Sequence, residues 1–322
     1  MEKPRKGLFF GCNSMKRILV VAAVIRRDGK ILIAQRPTDK HQGGLWEFPG
    51  GKVEAGEPVE QALVRELEEE LGITPQQFRP LIRITHDYAD KAVCLDVWEV
   101  SAFTGEAHGR ENQPVQWVRN EELQDFTFPA ANLPIIAAAR LPAHYFITPA
   151  NLDAAGYVDW LERRLERGAE LILLRAPQLP AAEYRDMARD LSARCRAGGA
   201  TLILHGDPQL LQQVDADGIH LTAAQLGHFP ERPCGTGRWL AASVHDAREL
   251  AQAERIGADF VTLSPVQATT SHPGAVALGW ERFAALTGPA RIPVYALGGM
   301  SMADAGRAWS AGAQGVAGIS GF

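Results

Sequence analysis

From residue 145 onwards the sequence alternates short apolar runs with helical stretches, and it does so eight times. The runs are residues 145–148, 170–174, 201–204, 218–221, 239–244, 260–263, 294–297 and 315–319. Helical spacing fills several of the gaps, as at 157–167, 182–196 and 246–256. Strands separated by helices pair in parallel through crossovers, and eight of them close into a (β/α)8 barrel of the TIM type. Only Ser320, Gly321 and Phe322 follow the eighth run, so the expectation is a barrel lacking the last helix. Strands one and eight then need other cover on their outer faces. The first half of the chain, its helix at 133–140, or another subunit is expected to supply it.

The first half follows a different pattern. Residues 18–25, 30–35, 94–101 and 115–119 are short and rich in β-branched or aromatic side chains, as strands are. A helix is expected over 59–71, opened by Pro58, with Ala62, Leu63, Leu67 and Leu71 on one face and Gly72 as its stop. A second helix at 133–140 precedes a break at Leu141-Pro142-Ala143. The chain of 322 residues exceeds one ordinary core at about 150 residues per domain. The expected division is an extension at 1–14, one α/β domain at 15–141 and the barrel at 143–322.

Composition excludes several classes. A net charge of -5 gives no general pull on a nucleic-acid polymer. Cys12, Cys94, Cys195 and Cys234 form no C-x-x-C pair, so neither a zinc site nor a disulfide framework is indicated, and free thiols suit a reducing cytoplasm. The apolar run at 18–25 is far short of the roughly 20 residues that span a bilayer. Leu8-Phe9-Phe10 is too brief for a signal peptide.

The chemistry sits on the helix at 59–71. Glu66, Glu69 and Glu70 stand at i, i+3 and i+4, so three carboxylates share one face. Such a face repels itself unless a cation lies among the oxygens, and hard oxygen ligands suit Mg²⁺ or Mn²⁺. A solvated acidic face would account for Glu68 and Glu60 but not for the whole spacing of Gly51, Glu57, Arg65-Glu66, Leu67, Glu69-Glu70 and Gly72-Ile73. Arg65 is expected to pair with Glu57 and hold the loop on the helix.

That spacing matches the Nudix box at every fixed position, and the first half resembles the MutT-type Nudix hydrolases, the 8-oxo-dGTP diphosphatases, which implies an α/β/α sandwich for it. Leu45-Trp46-Glu47-Phe48-Pro49-Gly50-Gly51 and Phe128-Pro129-Ala130-Ala131-Asn132-Leu133-Pro134 carry the resemblance outside the box. It implies a metal site of Glu66, Glu69, Glu70, Glu111 and the Gly50 carbonyl, with Glu66 and Glu69 as the catalytic carboxylates and Glu66 the first choice for base. It also implies that Arg36, Phe48 and Asn132 surround the nucleotide. An Asn amide can donate to O6 and accept from N7–H, a proton that 8-oxoguanine has and guanine lacks. Asn132 could equally cap the helix that follows it.

The second half resembles thiamine phosphate synthase and the TenI proteins through Asp217-Gly218-Ile219-His220-Leu221, Ala242-Ser243-Val244-His245-Asp246 and Ala296-Leu297-Gly298-Gly299-Met300. The resemblance implies a phosphate cradle at Gly298, Gly299, Ile319 and Ser320, though the glycines could simply make a tight turn. Several expected functional side chains are replaced. Leu173 and Pro177 flank Arg175, His205-Gly206 stands where an Asn-Asp pair is expected, and Gln225, Pro265 and His272 occupy other active positions. Loss of two metal carboxylates and a diphosphate cation points to a degenerate synthase.

The sequence reading is therefore a metal-dependent pyrophosphohydrolase of 8-oxo-dGTP, a nucleotide-pool sanitation enzyme, fused to a barrel that binds a phosphorylated ligand. Its partners are small molecules, with no nucleic-acid polymer or membrane and with oligomeric state open. Two alternatives stand beside it. The substrate could be a thiamine-precursor diphosphate, or the barrel could be a regulatory module.

Overall fold

A computed structural model describes residues 17–38, 42–88, 92–269, 274–319 and 321–322. Cys12, His272 and Ser320, singled out above, lie outside the described residues.

The first unit is a mixed sheet between two helices. In chain order it runs β1 (Ile18–Arg27), β2 (Lys30–Gln35), β3 (Trp46–Glu47), α1 (Val59–Leu71), β4 (Thr74–Asp87), β5 (Ala92–Thr104), β6 (Val115–Arg119) and α2 (Leu133–Arg140). The strand order is β3-β2-β1-β5-β4, with β6 also on β2. Only β1 and β5 pair in parallel. Alternation along β1 sends Val21, Ala23 and Ile25 to one face and Ala22 and Val24 to the other. Ala62, Leu63, Leu67 and Leu71 of α1 cover the first face, and Ile135, Ala138 and Ala139 of α2 cover the second. This is an α/β/α sandwich, as expected. Strand β4 was not expected, and β5 runs three residues further than the sequence pattern indicates.

The second unit is the closed parallel barrel. It comprises β7 (His144–Ile147), α3 (Ala154–Leu165), β8 (Leu171–Leu174), α4 (Ala181–Ala197), β9 (Thr201–His205), β10 (Gly218–Leu221), α5 (Ala223–Leu226), β11 (Trp239–Val244), α6 (Ala247–Arg255), β12 (Phe260–Leu263), α7 (Gly279–Thr287), β13 (Val294–Leu297), α8 (Ala305–Ser310) and β14 (Gly315–Gly318). A 3₁₀ turn, Pro208–Gln212, takes the place of a helix between β9 and β10. Tyr145, Phe260 and Tyr295, all fully buried, fill the interior. Among the described residues no helix is long and apolar enough to cross a membrane.

Phe322 supplies cover on strands β7 and β14. Phe322 packs edge-on against Phe146 with ring centroids 5.5 Å apart, and against His144 at 6.2 Å. Gly318 has no room for a side chain because the Phe322 ring would lie 2.2 Å from its Cβ. The Arg164 guanidinium holds the Phe322 carbonyl.

The first unit instead closes the other end of the barrel. Leu141 joins the interior cluster, Tyr295 donates to the Pro142 carbonyl at 2.6 Å, and Arg140 lies 4.8 Å above the Trp239 ring. Gln314 donates to the carbonyls of Ala138 and Leu141. Trp239 begins β11 and Gln314 immediately precedes β14, so this contact is at the N-terminal ends of the strands.

Candidate active site

The loop carrying Gly50 and Gly51 is stitched to β1. Val21 donates to the Gly51 carbonyl and Ala23 to that of Pro49, at 2.9 and 2.8 Å. Gly50 has φ 146°, and a Cβ there would fall 2.2 Å from the Val21 carbonyl oxygen. At Gly51 a Cβ would meet the Glu66 carboxylate, again at 2.2 Å. Gly50 lets the loop lie against β1 and Gly51 lets it lie against α1. The Gly50 N–H then donates to Glu70 at 3.1 Å.

Arg65 organises the adjacent edge. Its Nε and Nη2 both reach Glu57 at 2.9 Å, a bidentate pair, while Nη1 reaches Glu66 at 2.8 Å and Glu69 at 3.2 Å. Hydrogen bonds from this guanidinium hold the Glu57 carboxyl down at about 2. The expected loop clamp is present, and it also draws Glu69 outward.

Glu70 is the buried carboxylate of the group. Burial, opposed by the Gly50 N–H and reinforced by the negative charges of Glu47, Glu66 and Glu111, pushes its carboxyl up to about 8. The loop at 108–113 docks on the end of α1, where Arg110 N–H and the Gln113 amide both donate to the Glu70 carbonyl. That contact brings Glu111 into range. The structure thus gathers Gly50, Glu66 and Glu70, with Glu111 within electrostatic reach, but it does not bring Glu69 to the same point. Glu69 is 60% exposed and turned to Arg65. Among the described residues no three carboxylate, imidazole or thiol groups close on one position. The donor set nonetheless suits a divalent cation, because a buried Glu70 that feels the negative charges of Glu47, Glu66 and Glu111 is costly until positive charge joins it.

The neighbouring face holds the other expected residues. Arg36 pairs with Glu47, whose carboxyl is raised by burial despite the guanidinium beside it. Sequence reasoning missed Glu47; its only signal was an acidic residue directly before Phe48 in an otherwise apolar strand. The Phe48 ring is 3% exposed and stacks on Phe128 at 5.5 Å. The ring belongs to the core on this face of the sheet. Asn132 ends a 3₁₀ turn, Ala130–Asn132, and stands at the cap of α2 with helical backbone angles and no capping hydrogen bond from its side chain. Trp46 N–H donates to the Thr127 carbonyl, tying this segment beside β3.

At the barrel's C-terminal mouth lies a cavity of about 600 Å³ lined by Arg175, His205, Ser243, Ser264, Gly298 and Ile319, among others. His220, almost wholly buried, lines its floor and contacts Tyr145 Oη at 3.2 Å and Ser243 Oγ at 2.9 Å. Burial, and then the neighbouring imidazole, lowers His220 to about 3; burial and Arg175 lower His205 to about 4. Both rings are neutral near pH 7. Gly298 and Gly299 have φ of 97° and 68°. Side chains there would strike Pro265 and the Ala268 carbonyl, at 2.8 and 2.6 Å. A tight turn therefore demands these glycines whatever else they do. Gln225 is occupied in a capping box with Thr222, and Gly206 offers no side chain.

Comparison with known proteins follows the same division. Residues 144–322 match the thiamine monophosphate synthase family and residues 20–138 the NUDIX domain family. An 8-oxo-dGTP diphosphatase of Escherichia coli (strain K12) is 42% identical over 124 residues, 38% of this chain and 96% of that protein. A CTP pyrophosphohydrolase of the same strain is 44% identical over 124 residues, 38% of this chain and 92% of its own. A putative thiamine-phosphate synthase 2 of Aquifex aeolicus (strain VF5) is 31% identical over 182 residues, 56% of this chain and 98% of that one.

Proposed function

We propose a function from a fixed premise: this chain belongs to the thiamine monophosphate synthase family over residues 144–322 and to the Nudix hydrolases over residues 20–138. Its first unit, taken as residues 15–141, is a divalent-metal-dependent hydrolase of a nucleoside triphosphate, with 8-oxo-dGTP the leading substrate. The products are the nucleoside monophosphate and pyrophosphate. Residues 1–14 are an extension, residues 143–322 form the barrel unit, and the protein acts in the cytoplasm.

The observation that carries this reading is the carboxylate cluster on α1 around the Gly50–Glu70 contact. Glu66, Glu70, Glu111 and the Gly50 carbonyl would hold Mg²⁺ or Mn²⁺, with Glu69 joining once Arg65 releases it. Such an ion polarises a phosphoryl oxygen and makes water more acidic. Glu66, seated against Gly51, orients the attacking water and takes its proton. Arg65 keeps the loop and helix in register through Glu57. Asn132, free of any capping bond, presents an amide that donates to O6 and accepts from N7–H of the oxidised base.

A second reading keeps the reaction and changes the base, because the CTP pyrophosphohydrolase is as similar to this chain as the 8-oxo-dGTP diphosphatase. Competition among 8-oxo-dGTP, dGTP, CTP and thiamine diphosphate separates the readings. Asn132→Ala should lower the preference for 8-oxo-dGTP over dGTP by roughly tenfold or more, the equivalent of about 1–3 kcal/mol for a lost buried partner. Equal losses for both nucleotides would leave Asn132 a packing residue.

For the barrel we propose a phosphate-ester site without synthase turnover. Gly206 and Gln225 supply no carboxylate and Pro177 no polar side chain, whereas backbone N–H groups at Gly298, Gly299 and Ile319 need no side chain to hold phosphate. Ser320, the fourth expected member of that cradle, lies outside the described residues. Growth of a thiamine-phosphate-synthase-deficient strain on the whole chain would overturn the first clause. Calorimetry with thiamine phosphate, compared with a bulky replacement of Gly299, tests the second.

A further inference from the structure

Among the described residues, the sheet face that α2 covers is left partly open beyond the start of that helix. Three rungs cross β1, β5 and β4 on this face. They are Ala22, Val97 and Ile82; then Val20, Leu95 and Ile84; then Ile18, Val93 and His86. The register with β5 is unbroken from Ile82 to Asp87, so His86 points the same way as Ile82 and Ile84. The first rung is buried throughout, whereas Val20, Leu95, Ile18 and His86 are only half-buried. The helix is too short to reach them. Arg26 joins the Ala139 carbonyl to Glu99, and Glu99 pairs with Arg79, so the last turn of α2 lies at the Arg79 end of β4. From Arg79 to His86 the strand climbs about 24 Å, while α2 rises only about 10 Å back to Asn132. The turn that carries Asn132 lies against β4.

Ile18, Val20 and Leu95 make this floor apolar, and three strands by two rungs give it an extent of about 10 by 7 Å, enough for a purine laid flat. Along β1 it borders the loop of Gly50 and Gly51, whose neighbouring carbonyls accept from Val21 and Ala23. A base on the floor therefore keeps its phosphates within reach of the carboxylate cluster. Asn132 stands on the helix side, with a side chain that caps nothing. His86 stands on the far side. Its ring meets Tyr88 edge-on at 4.4 Å, and among the described residues neither of its nitrogens has a hydrogen-bond partner. Side chains of a strand rise from the sheet, so this ring meets the edge of a flat-lying base and not its face.

We propose that His86 reads the edge of a guanine base opposite to the one that Asn132 reads. The inference rests on the base-reading role given to Asn132 above. With Asn132 on O6 and N7–H, the far edge of the ring system presents the 2-amino group, a donor. A neutral imidazole has one bare nitrogen that accepts such a hydrogen bond. A base without the amine leaves that nitrogen unpaired beneath the nucleotide, and a site built this way discriminates against it.

The test is steady-state turnover by the full chain with Mg²⁺ on 8-oxo-dGTP, dGTP and dITP, the last of which has hydrogen in place of the 2-amino group. The kcat/KM for dGTP should exceed that for dITP by roughly tenfold or more, the size of one lost hydrogen-bond partner. His86→Phe keeps a ring against Tyr88 and removes both nitrogens. It should bring the dGTP-to-dITP ratio to about one by raising KM for dGTP, with kcat and the preference for 8-oxo-dGTP over dGTP held. A native ratio near one, or a ratio that survives His86→Phe, would overturn the inference and leave the Asn132 reading standing. Loss of the 8-oxo preference in His86→Phe would overturn it as well, since the two edges would then not be read separately. If Asn132→Ala leaves the 8-oxo preference unchanged, or if none of the three nucleotides is turned over, the underlying reading falls and the role of His86 with it.

Discussion

Glu66 occupies the space that Gly51 leaves open, and Glu70 accepts from the Gly50 N–H, so the backbone of one loop positions both carboxylates. Their charges are held together by packing and by Arg65, a cost that a divalent cation repays. Glu66→Gln keeps the shape and the contact with Gly51 but removes one negative charge and the proton acceptor. Turnover with saturating Mg²⁺ should fall by roughly 10²-fold or more, with the fold unchanged by circular dichroism, if the carboxylate supplies a few kcal/mol to the transition state. Near-normal turnover would refute the metal face. Much at this scale was legible in the sequence, because i, i+3, i+4 spacing fixes which side chains share a helix face. Two features were not. The burial of the Phe48 ring depends on Phe128, eighty positions away. The role of Glu47 depends on its closeness to Glu70, which only the packing of β3 beside α1 creates.

Among the elements, α1, α2, β2, β6 and four barrel strands fall on the residues that period and punctuation indicate. Strand β4 escapes for a physical reason. Pro75 and Pro80 interrupt its alternation, and its register with β5 shifts between Pro75 and Gln77 and between Pro80 and Ile82. A long antiparallel partner carries it through breaks that no local pattern survives. Strands β9 and β10 pose a different problem, since each buries an imidazole near the barrel axis. His220 titrates near 3 when folded and near 6.5 when unfolded, so below pH 6.5 the unfolded chain binds the extra proton. Stability is then lost as pH falls from about 6.5 towards about 3, by about 2 kcal/mol at pH 5 for one such group. His205 adds in the same direction, less strongly because it is partly exposed. Urea midpoints at pH 7 and pH 5 measure this. His220→Gln should be less stable at pH 7 yet lose less on acidification than the native protein; equal slopes would show that another group carries the acid sensitivity.

On the scale of the whole molecule, the barrel mouth opens at the C-terminal ends of its strands while the hydrolase unit sits at the N-terminal ends, so a product of one site reaches the other only through solvent. What joins the units is structural. The last carbonyls of α2 have no partner within that helix, as at any helix end. Gln314, which precedes β14, donates to Ala138 O at 3.0 Å and Leu141 O at 2.8 Å, and Arg26 holds Ala139 O. Arg79 lies 4.5 Å over the Trp309 ring on the same boundary. The barrel therefore completes a helix of the sandwich, and the sandwich's Leu141 completes the barrel interior. Two units that finish each other's hydrogen bonds and core should unfold together. Calorimetry of the native chain should give one transition. Gln314→Ala removes two buried hydrogen bonds, leaving the Ala138 carbonyl with only the Leu141 N–H at 3.4 Å, at about 2–4 kcal/mol in total. That change should lower the transition or split it in two, with the sandwich component melting first because α2 loses its end. A variant that unfolds in one transition at the native temperature would show that Gln314 is a bystander and that the apolar contact alone holds the units together.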